Sequence, residues 1–516
     1  MVINQRDAFL KPESTSGGTS KLYYGIDGPW TAYTEYVIDS SGNLTVGNGK
    51  GNQKGVQDVY GGLRMGGKSY YALDLRDIDS PKLKFHIDPS GTCSNSNPLG
   101  CMGQSWSKPS IGFVNWNGKR TRVMFVGGGY DMGYEDPAYD QTSKEGAGVY
   151  MFRAEDEKGS TGKAGDLLWW SSANATTSAA GTTSGTIGTN SSNMQYSVVS
   201  AIRTVDRNGD DLIDHIYFGD LGGQIFRVDF DNSQNTIGSW AETPVRLFNG
   251  HQANGKSSRF YDMPAFSLYS NNGSIFAVIS QGSGNRSKPL FADSSYNYDA
   301  IYNIYDKDVA RKDLYSATSL TTKDLLADNS SGLRLITDDD RKDDTTLKAP
   351  ASSNGWYYQF TKCVTGHGKC DSYTKQTEKV FGTPVALNKK LFVSTFDASK
   401  DGFAGDCGAG VKGASLMTTF CLPYGQCKSG DVTGTTHSMI SAGIHTITVG
   451  NDKNGGGDGS GNGSGGGETK DQEKSSASNY CISTGGRMTI TVTGGSSTGE
   501  QTRMCLIPQR WYERTQ

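Results

Sequence analysis

No apolar run in this 516-residue sequence approaches the ~20 residues a helix needs to cross a bilayer. Excess positive charge is missing too: 50 Lys and Arg stand against 53 Asp and Glu, a formal charge of −3, so no basic field attracts nucleic acid or an anionic membrane. The N-terminal stretch MVINQRDAFLKPES lacks the charged-then-apolar layout of a signal peptide. The six histidines are scattered, none forms HExxH, and no Gly-x-Ser-x-Gly nucleophile elbow occurs. These absences remove nucleic-acid binding, helical membrane spans, zinc-protease and serine-hydrolase chemistry from consideration. Helical periodicity is scarce as well. Its best instance is segment 307–336, which is expected to hold one short helix as an insertion.

Glycine and aromatic residues are what the chain has in plenty. Glycine is 69 of 516, about 13% against a usual ~7%, and aromatics reach 10%. Many tight turns and aromatic strands follow, so one large all-β domain spanning 1–516 is favoured over several ordinary ones. A pattern recurs in which a Gly-rich turn precedes an aromatic or apolar strand that stops at a polar residue. It reads SKLYYGIDG (20–28), GGKSYYALDL (66–75), GAGVYMFRAED (146–156), GGQIFRVDF (222–230) and YDAIYNIYDK (298–307), with GASLMTTFCL (413–422) a poorer copy. In a β-propeller each copy would be the strand that ends a blade, with long loops inserted between strands; unrelated hairpins of a sandwich are the alternative. Further strands are expected at Pro109–Asn115 and Thr121–Gly127 around the Asn117-Gly118 turn, at Ser274–Ser280, and at Thr383–Leu387 with Lys390–Phe396. Stretches near 171–193 and 451–478 read as flexible insertions.

The nine cysteines are Cys93, Cys101, Cys363, Cys370, Cys407, Cys421, Cys427, Cys481 and Cys505, all in Gly/Ser/Asn-rich surroundings. That usage implies disulfides and an oxidising compartment, hence an exported protein. Cys93 with Cys101 and Cys363 with Cys370 are near enough to close small loops, while the other five could pair in several ways and leave one over. Cys363, His367 and Cys370 also offer part of a zinc site, but no fourth ligand is evident nearby.

The densest chemistry lies in TVDRNGDDLIDHIYF. Asp206, Asn208, Asp210 and Asp214 occupy positions one, three, five and nine of a short loop, and the Leu212 carbonyl falls at seven. A hard cation taking six to eight oxygens, calcium above all, suits this set. The loop is shorter than an EF-hand, with Gly209 at position four and strands on both sides. An ordinary Asp/Asn/Gly turn is the plain alternative, yet so many carboxylates in nine residues would repel one another without a cation. His215 is a poor partner for a hard cation and is expected to be exposed, and the acidic run Asp338–Asp340 with Asp343 and Asp344, interrupted by Arg341 and Lys342, is expected to be a solvated loop.

Four segments together, GGLRMGGKSYYALDL, SWSKPSIGFVNWNGKRTRVMFVGGGYD, TVDRNGDDLIDHIYFGDLGGQIFRVDF, and GTPVALNKKLFVSTFDAS with GDCGAG, resemble the C-terminal domain of the PilC/PilY-type type IV pilus proteins. The resemblance implies a modified seven-bladed β-propeller that is the C-terminal domain of a longer exported protein, at the bacterial cell surface, associated with the outer membrane or at the pilus tip. It further implies a non-enzymatic module that supports pilus biogenesis, controls extension and retraction, and takes part in adhesion. Major or minor pilins are the implied partners, with a host-cell surface receptor as another. Ca2+ is the implied cofactor, on Asp206, Asn208, Asp210, the Leu212 carbonyl and Asp214. The Gly-rich insert near 451–470 and the Cys407–Cys427 region depart from the family pattern. A propeller enzyme, quinoprotein-like or carbohydrate-active, is the alternative; against the first, YALDL is followed by RDIDSPKL without the Thr-Gly-x-x-x-Trp docking element.

Overall fold

The computed structural model describes residues 25–452 and 487–492, less 158, 160, 293–294, 296–297, 318, 328–331, 343–353, 366–369, 376, 401–412, 428–436 and 445–446. Five meandering sheets dominate them. Sheet I runs Trp30–Glu35, Val56–Gly62, Tyr70–Asp74, Lys82–Ile87. Sheet II runs Ser110–Trp116, Lys119–Gly127, Val149–Arg153, Leu167–Ser172, Ile187–Asn190. Sheet III is Arg203–Val205, His215–Gly219, Gln224–Asp229, Val245–Asn249. Sheet IV is Ala265–Asn271, Ser274–Gly282, Ala300–Asp306 and Gly355–Gln359, edged by Arg334–Leu335. Sheet V joins Lys379–Val380 and Val385–Leu387 to Lys390–Asp397, then Ala414–Cys421 and His437–Ala442.

The recurring aromatic segments land at one equivalent place. Tyr70–Asp74, Val149–Arg153, Gln224–Asp229, Ala300–Asp306 and Ala414–Cys421 are each the third strand of their sheet. They were expected to end the blade, but a further antiparallel strand follows in every case. An unpaired row of N–H and C=O groups on a strand buried on both faces is costly, and the outer strand satisfies it. The earliest copy, 20–28, falls partly outside the described residues, and its last four residues are irregular.

Successive sheets stack through both faces of their strands. In Lys119–Gly127, Met124 and Val126 pack toward sheet I, while Val123 and Phe125 pack toward sheet III. In Gln224–Asp229, Phe226 and Val228 face sheet II and Ile225 faces sheet IV. In Ala300–Asp306, Ala300, Tyr302 and Ile304 face sheet III, and Ile301 and Tyr305 face sheet V. The first strands also lie side by side: Thr31 Oγ1 donates to the Pro109 carbonyl at 2.6 Å, and Ser110 Oγ to that of Ile202 at 2.7 Å. Sheets stacked face to face with their first strands adjacent make a β-propeller arrangement, all-β as expected. Five such sheets lie among the described residues; the expected seven is a count over the whole chain.

The Asn117-Gly118 hairpin forms as expected, with Asn117 and Gly118 both at positive φ. Cys93 is bonded to Cys101, and among the alternatives left open, Cys421 is bonded to Cys427. The Cys363–Cys370 pairing and Cys407, Cys481 and Cys505 lie outside the described residues or side chains, as does almost all of 451–478. The stretch 171–193 supplies the end of one strand and the parallel edge strand Ile187–Asn190. Among its described residues, segment 307–336 holds the 3-10 turn Leu314–Ser316 and the strand Arg334–Leu335 and no α-helix. The helix forms just beyond, at Asp338–Lys342, in place of the expected solvated loop. Thr337 caps it by accepting the Asp340 N–H, and buried Arg341 reaches the Thr419 carbonyl at 2.7 Å. No helix among the described residues is long and apolar enough to cross a membrane.

Candidate metal centre

Three of the acidic residues singled out from the loop spacing converge. One carboxylate oxygen from each of Asp206, Asp210 and Asp214 lies within 4.8 Å of the others. The backbone arranges this through Asx turns: Asp206 Oδ1 accepts the N–H of Asn208 and Gly209, Asp206 Oδ2 that of Asp211, and Asp210 Oδ1 that of Leu212. Gly209 and Asp211 sit at φ +75° and +64°, the left-handed region that Gly adopts freely and Asp tolerates. Asn208 Oδ1 accepts the Asp210 N–H at 3.0 Å, and Asn208 and Leu212 line the same pocket as Asp210 and Asp214.

Burial separates the three acids. Asp210 is exposed, Asp206 half-buried and Asp214 buried. Burial pushes the Asp214 carboxyl above the usual aspartate range, opposed by the Arg207 N–H, His215 and the Asn232 amide. A cation supplied there would favour the charged form of all three. The donor set is entirely oxygen, it is pre-gathered, and it opens to solvent, so it fits a hard divalent ion. The residues that could hold it are Asp206, Asp210 and Asp214, with Asn208 and the Leu212 carbonyl beside them.

The loop rests on elements from both sides. Ile213 N–H donates to the Phe113 carbonyl of sheet II at 2.7 Å, and Arg120 of the same sheet pairs with Asp211. On the opposite side Arg207 donates to the Arg311 carbonyl, and Tyr315 Oη to the Phe230 carbonyl at 2.9 Å. Asp231, Asn232, Ser233, Lys312 and Tyr315 complete the pocket, and loop spacing carried no sign of them. His215 is not exposed. It begins a strand in which Asp229 is its direct cross-strand partner, and its Nδ1 meets Asp229 Oδ1 at 2.8 Å inside the core. From there Arg227 bridges Asp229 to Asp306 of sheet IV, at 2.6 Å, and Tyr217 Oη donates to Asp306 at 3.1 Å.

With this geometry established, the chain was compared with known proteins. No protein-family model and no curated protein matches it. Among solved structures, the crystal structure of the Pseudomonas aeruginosa PilY1 C-terminal domain matches 93% of this chain and 84% of that one, at 14% identity and TM-score 0.51. The chain has the fold of the PilY1 C-terminal domain. That is the fold the sequence resemblance implied. Two more distant matches are the quinohemoprotein alcohol dehydrogenase ADHIIG of Pseudomonas putida HK5 and Drosophila Semaphorin 1b extracellular domains 1-2. They share 12% and 8% identity, cover 80% and 76% of this chain and 44% and 52% of theirs, and have TM-scores of 0.27 and 0.24. At those scores neither bears on function, and PilY1 remains the useful comparison.

Proposed function

We propose that this chain is a calcium-binding, non-enzymatic module displayed at the bacterial cell surface, where it supports type IV pilus biogenesis and the control of extension, retraction and adhesion. The observation that carries the reading is the convergence of Asp206, Asp210 and Asp214 on a PilY1-type fold. Pilins are the partners in this reading, and a host-cell receptor is a further one. The paired cysteines Cys93–Cys101 and Cys421–Cys427 suit an exported protein.

Calcium would act on a loop that already rests on sheet II and on the 307–322 segment, so its effect is local stiffening. A ligand that binds only the ordered state stabilises it by about 2.7 kcal/mol at a hundredfold excess over Kd. That suffices to switch a loop, and a partner that distinguishes the two loop states would read it.

Calorimetric titration of chelator-stripped protein with calcium, with magnesium as control, tests the reading. Saturable one-site binding is expected for the native sequence, and its loss in Asp210→Ala with unchanged circular dichroism. Magnesium should bind more weakly, because it demands a tighter octahedral shell. Correctly folded protein that takes up no calcium would overturn the proposal.

A further inference from the structure

Asn232 sits eighteen residues beyond Asp214, across the central hairpin of sheet III, and its side chain has a single possible orientation. Its Oδ1 faces two groups that can only donate, the Asn115 backbone N–H at 2.9 Å and the Trp240 indole N–H at 3.2 Å. The amide nitrogen must therefore face the other way, where Nδ2 donates to the Ile213 carbonyl at 3.0 Å and to Asp214 Oδ1 at 2.9 Å. Every side-chain hydrogen-bonding position is filled. The main chain is held too, since Asn115 Nδ2 donates to the Asn232 carbonyl at 2.6 Å. Asp214 Oδ2 accepts the Arg207 N–H at 2.8 Å, so the carboxylate is gripped at both oxygens, once by the loop itself and once by Asn232.

We propose that Asn232 is the positioning residue of the cation site: it fixes the buried Asp214 carboxylate and, through the Trp240 indole, ties the site to the core between sheets II and III. The inference rests on the calcium reading of the loop and deepens it. Asp210, exposed on the turn, can adjust to an ion, whereas Asp214 cannot move without breaking the Asn232 contact. Trp240 stacks on Phe230 at 4.2 Å between ring centres and meets Trp116 edge-on at 5.2 Å. An amide that shifts when Asp214 is ligated therefore alters the surroundings of a buried indole, which makes the coupling visible by fluorescence.

The test titrates calcium into chelator-stripped full chain, following heat and tryptophan emission in parallel, for the native sequence, Asn232→Ala and Trp240→Phe. Groups that orient metal ligands typically contribute ten- to a hundredfold in affinity. Asn232→Ala is expected to weaken calcium by about tenfold or more. Trp240→Phe, which removes the indole N–H on Asn232, should lose the emission change. Should the alanine variant fail to fold in chelator, as judged by circular dichroism, Asn232→Ser replaces it with the same expected loss. Native affinity in a folded Asn232 variant overturns the proposal while leaving the calcium site standing; native protein that binds no calcium overturns both. An emission change that survives in Trp240→Phe overturns the link to the core.

Discussion

Asp220 shows how much one buried side chain can do in this molecule. It is fully enclosed at the turn after the second strand of sheet III, where Gln224 donates to it through both its backbone N–H and its Nε2, each at 2.9 Å. Burial nevertheless pushes its carboxyl up to about 7, with Arg246 too weak a counterweight and Tyr134 and Tyr196 nearby. The sign follows directly. Below about pH 4 the group is protonated folded and unfolded; from there to about pH 7 the unfolded chain ionises first, so stability is lost as pH rises and then levels off. The loss is at most about 4 kcal/mol. The melting temperatures of native protein and Asp220→Asn should therefore diverge differently at pH 4 and pH 7.5; a constant gap would show that Asp220 does not titrate in this range. Residues differ in how openly the sequence declares them. Asp206, Asp210 and Asp214 were legible because their spacing is itself the chemistry. Asn232 and His215 were not, because each takes its role from a partner brought by strand pairing.

At the scale of strands and turns, the third-strand motif was the legible element and its place within the sheet was not. Four of the five third strands, all but Tyr70–Asp74, bury both faces, so apolar and polar residues need not alternate along them and periodicity cannot say which neighbours they have. The Gly-Gly turn after Asp220 has a sharper rule. A Cβ on Gly222 would lie 2.1 Å from the Tyr196 ring, which stacks on His251 at 4.6 Å and hydrogen-bonds its Nε2 at 2.9 Å. Gly222→Ala is expected to destabilise by about 1–3 kcal/mol through overpacking, read as a lower urea midpoint. An unchanged midpoint would mean that the Tyr196–His251 pair swings aside at no cost. The helix at Asp338–Lys342 escaped prediction for a related reason: five polar residues carry no apolar stripe, and they are held by the Thr337 cap, the buried Arg341, Tyr358 Oη on the Asp338 carboxylate and Gln426 Nε2 on the Asp340 carbonyl.

Across the whole molecule, neighbouring sheets are joined by buried ions as well as by apolar packing. Arg122 of sheet II meets Asp58 of sheet I at 3.4 Å, Arg227 of sheet III meets Asp306 of sheet IV, and Lys379 of sheet V meets Asp299, just ahead of a sheet IV strand, at 2.9 Å. Removing one member leaves a buried charge, which costs about 3–5 kcal/mol. Asp306→Ala should lower unfolding stability by that amount, whereas on the calcium proposal chelation should lower it by less, about 2.7 kcal/mol from a hundredfold excess over Kd, and make the 206–214 loop more open to proteolysis. A global transition that shifts with chelation as far as it does with Asp306→Ala would contradict a local role for the ion. The two-faced strands carry one more consequence. Because every interior sheet is a wall shared by two rooms, no cut between sheets yields a soluble half: a fragment ending after Asn190 would present Trp116, Phe125 and Trp169 bare to water. Trimming such a chain, or grafting part of it elsewhere, has to respect the stack of sheets as a unit.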